Sequence, residues 1–252
     1  MKLSVQVARR LLLAALVLAV WWAASSRVPS FVLPGPYAVL QAFSSLLHTP
    51  TFLQDVGATL ARVGIGFFLA AAAGTALGVV MGASRALADF LEPVVAVFNT
   101  VSSAIWAVFA IIWFGLSDAS TVMVVFMTTM PLMLTSVWNG TKTVDKQYVE
   151  LAKSFNLSRL QILAKIYVPT VLPSFFAGAR LAFGFGWRVS LVAETIGASS
   201  GIGYRLRQAA DLIQSSQVFA WTILLIMFML LIEAGVLKPL ENALFRWKPS
   251  PE

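Results

Sequence analysis

Long apolar segments separated by short polar stretches dominate this chain. About six of them, at 11–26, 60–83, 93–115, 120–138, 171–196 and 218–237, approach or exceed the roughly 20 residues a helix needs to cross a bilayer. The alternating ten-residue segments of a membrane β-barrel are absent. The pattern predicts an all-α membrane protein with about six transmembrane helices in one domain over 1–252. A first helix and an outer surface segment fill 1–59, core helices fill 60–237, and a tail follows at 238–252.

Three polar stretches carry structure of their own. Residues 28–55 hold Pro29, Pro34, Gly35, Pro36 and Pro50 around an amphipathic piece at 37–47, suited to lie along the membrane surface. Residues 197–217 hold a Gly201-Ile202-Gly203 turn and a short polar helix with Arg205, Arg207 and Asp211. Such a loop dips among spans only where protein or water satisfies its backbone. The third stretch is a basic loop at about 140–170. A helix over 145–155 bears Glu150, Ala152 and Lys153. Asn156 ends it, because asparagine visits the left-handed region readily. Ser158 and Gln161 then fit a capping box that starts a second helix. Pro169 and Pro173 mark the return to the membrane. The expected product is a helix, a tight bend and a helix, projecting as a knob shaped for a partner's groove.

Composition agrees with the membrane assignment. The chain is 59% hydrophobic and 12% charged, where soluble proteins carry about 25% charged residues. Its net charge of +7 reads as a topology signal rather than a nucleic-acid footprint, because the basic residues flank apolar segments. With the N-terminus inside, the cytoplasmic set is Lys2, Arg9, Arg10, Arg85, Lys142, Lys146, Lys153, Arg159, Lys165, Lys238, Arg246 and Lys248. The outer set is only Arg27, Arg205 and Arg207. Both termini and the 140–170 loop are therefore expected in the cytoplasm. The first segment has the basic start of a signal peptide, but Trp21 and Trp22 suit the interfacial belt of a retained helix. There is no cysteine, and His48 is the only histidine, which argues against a bound metal.

Two features sit at membrane depth. Ala70, Gly74, Gly78 and Gly82 recur every four residues, as do Gly178, Ala182 and Gly186. Small residues at this spacing let helices approach closely, within one chain or between subunits. Arg180, Arg188 and Glu194 share one span, and charges there face a cavity or one another. Two readings stand: a structural ion pair or snorkelling arginine, and an aqueous path lined by Arg188, Glu194 and Arg180. Asn99, Thr100, Ser102, Ser103 and Trp106 either line that path or bond to their own helix.

The loop resembles the EAA motif of ABC-importer permeases through Glu150, Ala152, Asn156, Ile166 and Pro169. Further matches fall in the order seen in permeases of the nitrate/sulfonate/taurine type: Leu33-Pro34-Gly35-Pro36, Arg62-Val63, Gly66-Phe67, Trp113-Phe114-Gly115, Leu172-Pro173, Gly178 with Arg180-Leu181, Ala193-Glu194, Gly201 with Gly203, and Arg246-Trp247. Three positions depart: Asn156 replaces the motif's glycine, Leu151 replaces its alanine, and Val108 stands where many relatives have proline. The resemblance implies a type I ABC-importer permease fold in a bacterial inner membrane, pairing with a second copy as a homodimer. It implies cytoplasmic ATPase subunits that hold ATP and Mg and grip the loop at Glu150, Ala152, Lys153, Asn156, Leu157 and Ser158. It also implies an extracytoplasmic binding protein that delivers a small anion such as nitrate, a sulfonate, taurine or bicarbonate. The chain itself has no phosphate loop of the Gly-x-x-x-x-Gly-Lys-Ser/Thr type and is expected to bind no cofactor. A secondary transporter or channel would need ion-handling carboxylates in its spans, where Glu194 alone qualifies. A membrane enzyme would need a catalytic constellation that is missing.

Overall fold

The computed structural model describes residues 2–239, and helices with short connections make up that whole stretch. In order they are α1 (Lys2–Ser25), α2 (Pro36–Leu47), α3 (Phe52–Ala83), α4 (Arg85–Thr100), α5 (Ser103–Phe114), α6 (Asp118–Lys142), α7 (Lys146–Ser154), α8 (Arg159–Ile162), α9 (Val168–Gly197), α10 (Ile202–Asp211) and α11 (Ser215–Ile232). A π-helical turn at Leu163–Tyr167 joins α8 to α9, and another at Glu233–Leu237 follows α11. Arg246-Trp247 and Lys248 lie outside the described residues.

Among the described residues, four segments are long and apolar enough to cross a bilayer: Phe52–Ala83, Asp118–Lys142, Arg159–Gly197 and Ser215–Val236. The apolar part of α1, Leu11–Ser25, is shorter. The span expected at 93–115 is instead two helices, α4 and α5, meeting at 94°. Val101 and Ser102 are extended at the break, and the Ser102 hydroxyl accepts from the Ala104 N–H at 3.4 Å to start α5. Just before it, Asn99 and Thr100 donate back to the carbonyls of Val95 and Ala96. Apolarity alone did not reveal this break, because such side chains offer the backbone an alternative to continuing the helix.

The core is built on α3, α6 and α9. Along α3, Gly66, Gly74, Gly78 and Gly82 meet Val125, Met133, Val137 and Thr141 of α6, so the two helices run parallel. A Cβ at Gly74 would lie 2.9 Å from the Met130 carbonyl oxygen, so the backbones are nearly in contact. Helix α9 runs antiparallel to α6, with Gly178 at Ser136 and Gly186 at Thr129. Ala70 and Ala182 are fully buried in the same contacts. Both small-residue stripes therefore serve close approach within this chain.

These directions define two ends. One carries the start of α3, the start of α6, the end of α9 and all of α10; the other carries the ends of α3 and α6 and the α7–α8 loop. At the first end, the Trp21 indole N–H donates to the Pro34 carbonyl at 3.0 Å, and its ring stacks on Phe219 of α11. Helix α2 packs against α11 and buries Val39, Ala42 and Leu46. Helix α1 therefore begins, and α11 ends, on the side of the α7–α8 loop.

Candidate functional site

The α7–α8 loop is shaped almost entirely by local bonds. Asp145 caps α7 by accepting from the Gln147 N–H at 2.8 Å. Asn156 ends α7 with φ +56°, which only glycine and a few polar residues adopt readily. Its N–H donates to the Lys153 carbonyl, and the Leu157 N–H donates to that of Ala152. The box predicted at α8 is complete: Ser158 N–H to Gln161 Oε1 at 2.8 Å, and Gln161 N–H to Ser158 Oγ at 3.3 Å. Ala152 and Ile162 turn inward.

What the loop shows to its surroundings is a mixed surface. Glu150, Lys153, Asn156 and Ser158 are exposed and Leu157 is half-buried. Glu150 has no ion pair among the described residues. Tyr148, Leu151 and Phe155 are also exposed, at 64%, 54% and 73%, and their spacing places them on one face of α7. Sequence reading missed Tyr148 and Phe155. The signal was there: a short helix outside the spans with apolar residues at 148, 151 and 155, spaced to share one face.

At the opposite end lies a buried polar latch. Glu194 of α9 has no exposed surface. Its carboxylate accepts from Arg62 Nη1 at 2.9 Å, the Thr59 hydroxyl at 2.9 Å and the Gly203 N–H at 2.8 Å. Arg62 of α3 also donates to Asp118 of α6 through Nε at 2.8 Å, and to the carbonyl and hydroxyl of Ser200 at 2.7 and 2.8 Å. Thr59 in turn accepts from the Ile202 N–H, and Asp55 accepts from the Gly201 N–H and from Arg205 Nε. Gly201 has φ +109°, and a Cβ there would lie 2.7 Å from Arg62 Nη1 and 2.8 Å from both oxygens of Glu194. The glycine turn at 201–203 thus closes over the ion pair, and protein groups supply every partner its buried backbone needs. In this conformation Glu194 faces no open path. It is joined to neither Arg188 nor Arg180.

The remaining candidates separate. Arg188 is exposed on α9 within an apolar stripe formed by Leu181, Phe185 and Val192, and shows no hydrogen bond or ion pair among the described residues. Arg180 is half-buried. Trp106 is buried and stacked on Phe98 at 5.5 Å, and its cluster includes Val189 and Ala193 of α9. The α4–α5 bend, with Asn99, Ser102 and Ser103, therefore packs beside the segment that carries Arg188.

A family model described as "Binding-protein-dependent transport system inner membrane component" matches residues 74–236. The putative aliphatic sulfonates transport permease protein SsuC of Bacillus subtilis (strain 168) is 29% identical, over 96% of this chain and 88% of its own. The taurine transport system permease protein TauC of Escherichia coli (strain K12) is 27% identical, over 92% of this chain and 87% of its own. Among solved structures, an inward-facing MetNI methionine ABC transporter superposes with a TM-score of 0.66 at 17% identity, over 76% of this chain and 95% of that one.

Proposed function

The chain belongs to the binding-protein-dependent transport system inner membrane components, as a permease subunit of an ABC importer, and from that premise we propose that its α7–α8 loop is where a separate ATPase delivers its stroke. The observation that carries this reading is the loop itself. Caps and a left-handed Asn156 give it a fixed helix–bend–helix shape. It presents Glu150 on one face and the exposed Tyr148, Leu151 and Phe155 on another, none of which the chain covers for itself. A preformed amphipathic helix of this kind fits a groove on a partner.

The α7–α8 side is cytoplasmic, because the basic residues concentrate there. Two copies of this chain pair as a homodimer, two ATPase subunits hold ATP and Mg, and an outer binding protein supplies the solute at the α10 end. Glu150 anchors the ATPase, with Ala152, Lys153, Asn156, Leu157 and Ser158 setting the shape of the knob. ATP-driven closure of the ATPases pushes α7 and α8, and α9 carries the push to the far end of the core.

The cargo is a small sulfonate-like anion. The exposed, unpaired Arg188 supports this, because a cation at membrane depth with no internal partner awaits one. The bend at Asn99, Ser102 and Ser103 adds hydroxyl and amide groups to the same region.

Co-purification and uptake test the two halves separately. Glu150→Lys should abolish recovery of the co-expressed ATPase with the permease. Arg188→Ala should spare that recovery and lower alkanesulfonate uptake by reconstituted complex at least about tenfold, the loss expected when one charge-assisted contact is removed. Full ATPase recovery with Glu150→Lys would overturn the docking assignment; unchanged uptake with Arg188→Ala would remove Arg188 from the path.

A further inference from the structure

We propose that the groove between α3, α4 and α6 holds one zwitterionic phospholipid of the leaflet on the α7–α8 side, with a primary ammonium in its headgroup. A cavity of about 400 Å³ opens where these helices end, lined by Arg85, Asp89 and Glu92 of α4, Trp138 and Lys142 of α6, and Tyr167. That volume falls within the roughly 300–1,000 Å³ of ordinary ligand sites. Arg85, Asp89, Glu92 and Lys142 are all exposed, and none makes an ion pair among the described residues. Two cations and two carboxylates thus line one cavity without neutralising one another. The Lys142 ammonium is held 3.6 Å above the Trp138 ring centre.

Directly deeper along the same helices runs a second, wholly apolar hollow of about 200 Å³, lined by Leu77, Leu91, Val94, Phe98 and Met130. Met81 lines both spaces. A charged cavity at the end of the spans, continued by an apolar slot toward the bilayer centre, matches the two halves of a membrane lipid. A soluble zwitterion would leave the slot unused.

The charges select the headgroup. Arg85 and Lys142 suit a phosphate. Asp89 and Glu92 oppose a head with net negative charge, since like charges brought together are unfavourable. They favour a primary ammonium, whose three N–H donors can each reach an acceptor. A trimethylammonium head has no such donor. It keeps its charge attraction to Asp89 and Glu92 but gains no hydrogen bond from them, and Lys142 already covers the Trp138 ring face that would favour it.

Native mass spectrometry of the full chain, released from detergent after titration with dimyristoyl phosphatidylethanolamine, phosphatidylcholine or phosphatidylglycerol, tests the assignment. Phosphatidylethanolamine should be retained about tenfold better than either other lipid, and Asp89→Asn with Glu92→Gln should abolish that preference by raising phosphatidylglycerol and lowering phosphatidylethanolamine. Val94→Trp, which fills the apolar slot, should reduce retention of all three. Equal retention of the three lipids, or a preference of the unaltered chain for phosphatidylglycerol, would overturn the proposal. So would a Val94→Trp chain that changes its subunit stoichiometry yet keeps the lipid, because the groove would then be a face for a second copy.

Discussion

The two ends of this permease use charge in opposite ways. At the α10 end, Arg62 and Glu194 are almost wholly buried, and their side-chain partners lie 56 to 138 residues away in sequence. At the α7–α8 end, Glu150 and Lys153 are exposed, and each side-chain capping bond spans three residues or fewer. At the first end the buried pair is closed on itself, and its charges are satisfied within the chain. The second has a fixed backbone and an unclaimed surface. A buried charge that the chain satisfies internally belongs to the fold; an exposed acid on a preformed helix is available to another protein.

The contrast is broken most directly at the latch. Arg62→Ala leaves Glu194 buried opposite an empty space, and removing one member of a buried pair costs about 3–5 kcal/mol. The expected outcome is a large fall in the fraction of monodisperse protein surviving heating in detergent. Arg62→Met combined with Glu194→Leu should be milder than either single change to alanine, since no buried charge is then left without its partner and the exposed Asp118 is open to water. If both singles melt like the parent, the latch does not hold the α10 end to the core.

The close approach of α3 and α6 comes next. Gly74→Val places side-chain carbons against the backbone of Met130 and Leu134. Overpacking of this kind costs about 1–3 kcal/mol. Heating in detergent reads that loss, and Gly64→Val provides the contrast, because a Cβ at Gly64 meets nothing within 4 Å.

The two ends also differ in how far the amino-acid sequence disclosed them. The loop was readable because its determinants are local. Asn156, Ser158 and Gln161 act on backbone groups no more than three residues away, and all three take the conformations their chemistry predicts. The small-residue stripes were readable as close contacts, though not their direction, since nothing in Gly74 or Gly78 says that α6 runs parallel. The latch was not readable. Arg62 and Glu194 stand out as charges at membrane depth, but their meeting depends on α3 and α9 packing side by side and on a glycine turn folding back over both. The α4–α5 bend escaped for another reason. Hydropathy records only that 93–115 is apolar, whereas the break is decided by the backbone at Val101 and Ser102.

A smaller effect sharpens the description of the loop as self-shaped. Ser158→Ala removes the acceptor for the Gln161 N–H, and loss of such a cap costs about 1 kcal/mol. The loss should stay local: hydrogen exchange should quicken over 158–163, while melting of the whole chain in detergent stays unchanged. A global loss of stability would mean that α8 is part of the core rather than a projection from it.

An effect of similar size is the most specific. Asn156 occupies the left-handed region at φ +56°. Glycine adopts that conformation without steric penalty, so Asn156→Gly should leave the loop intact. A β-branched residue there costs about 1–2 kcal/mol, so Asn156→Val should open the bend between α7 and α8. Limited proteolysis at 154–160 reads the difference without depending on transport. Measured on the same proteins, recovery of the ATPase should follow the bend, retained with glycine and reduced with valine. Because Asn156→Val leaves Glu150 and its apolar neighbours in place, a loss of ATPase with that variant would show that the partner reads the shape of the knob as well as its charge.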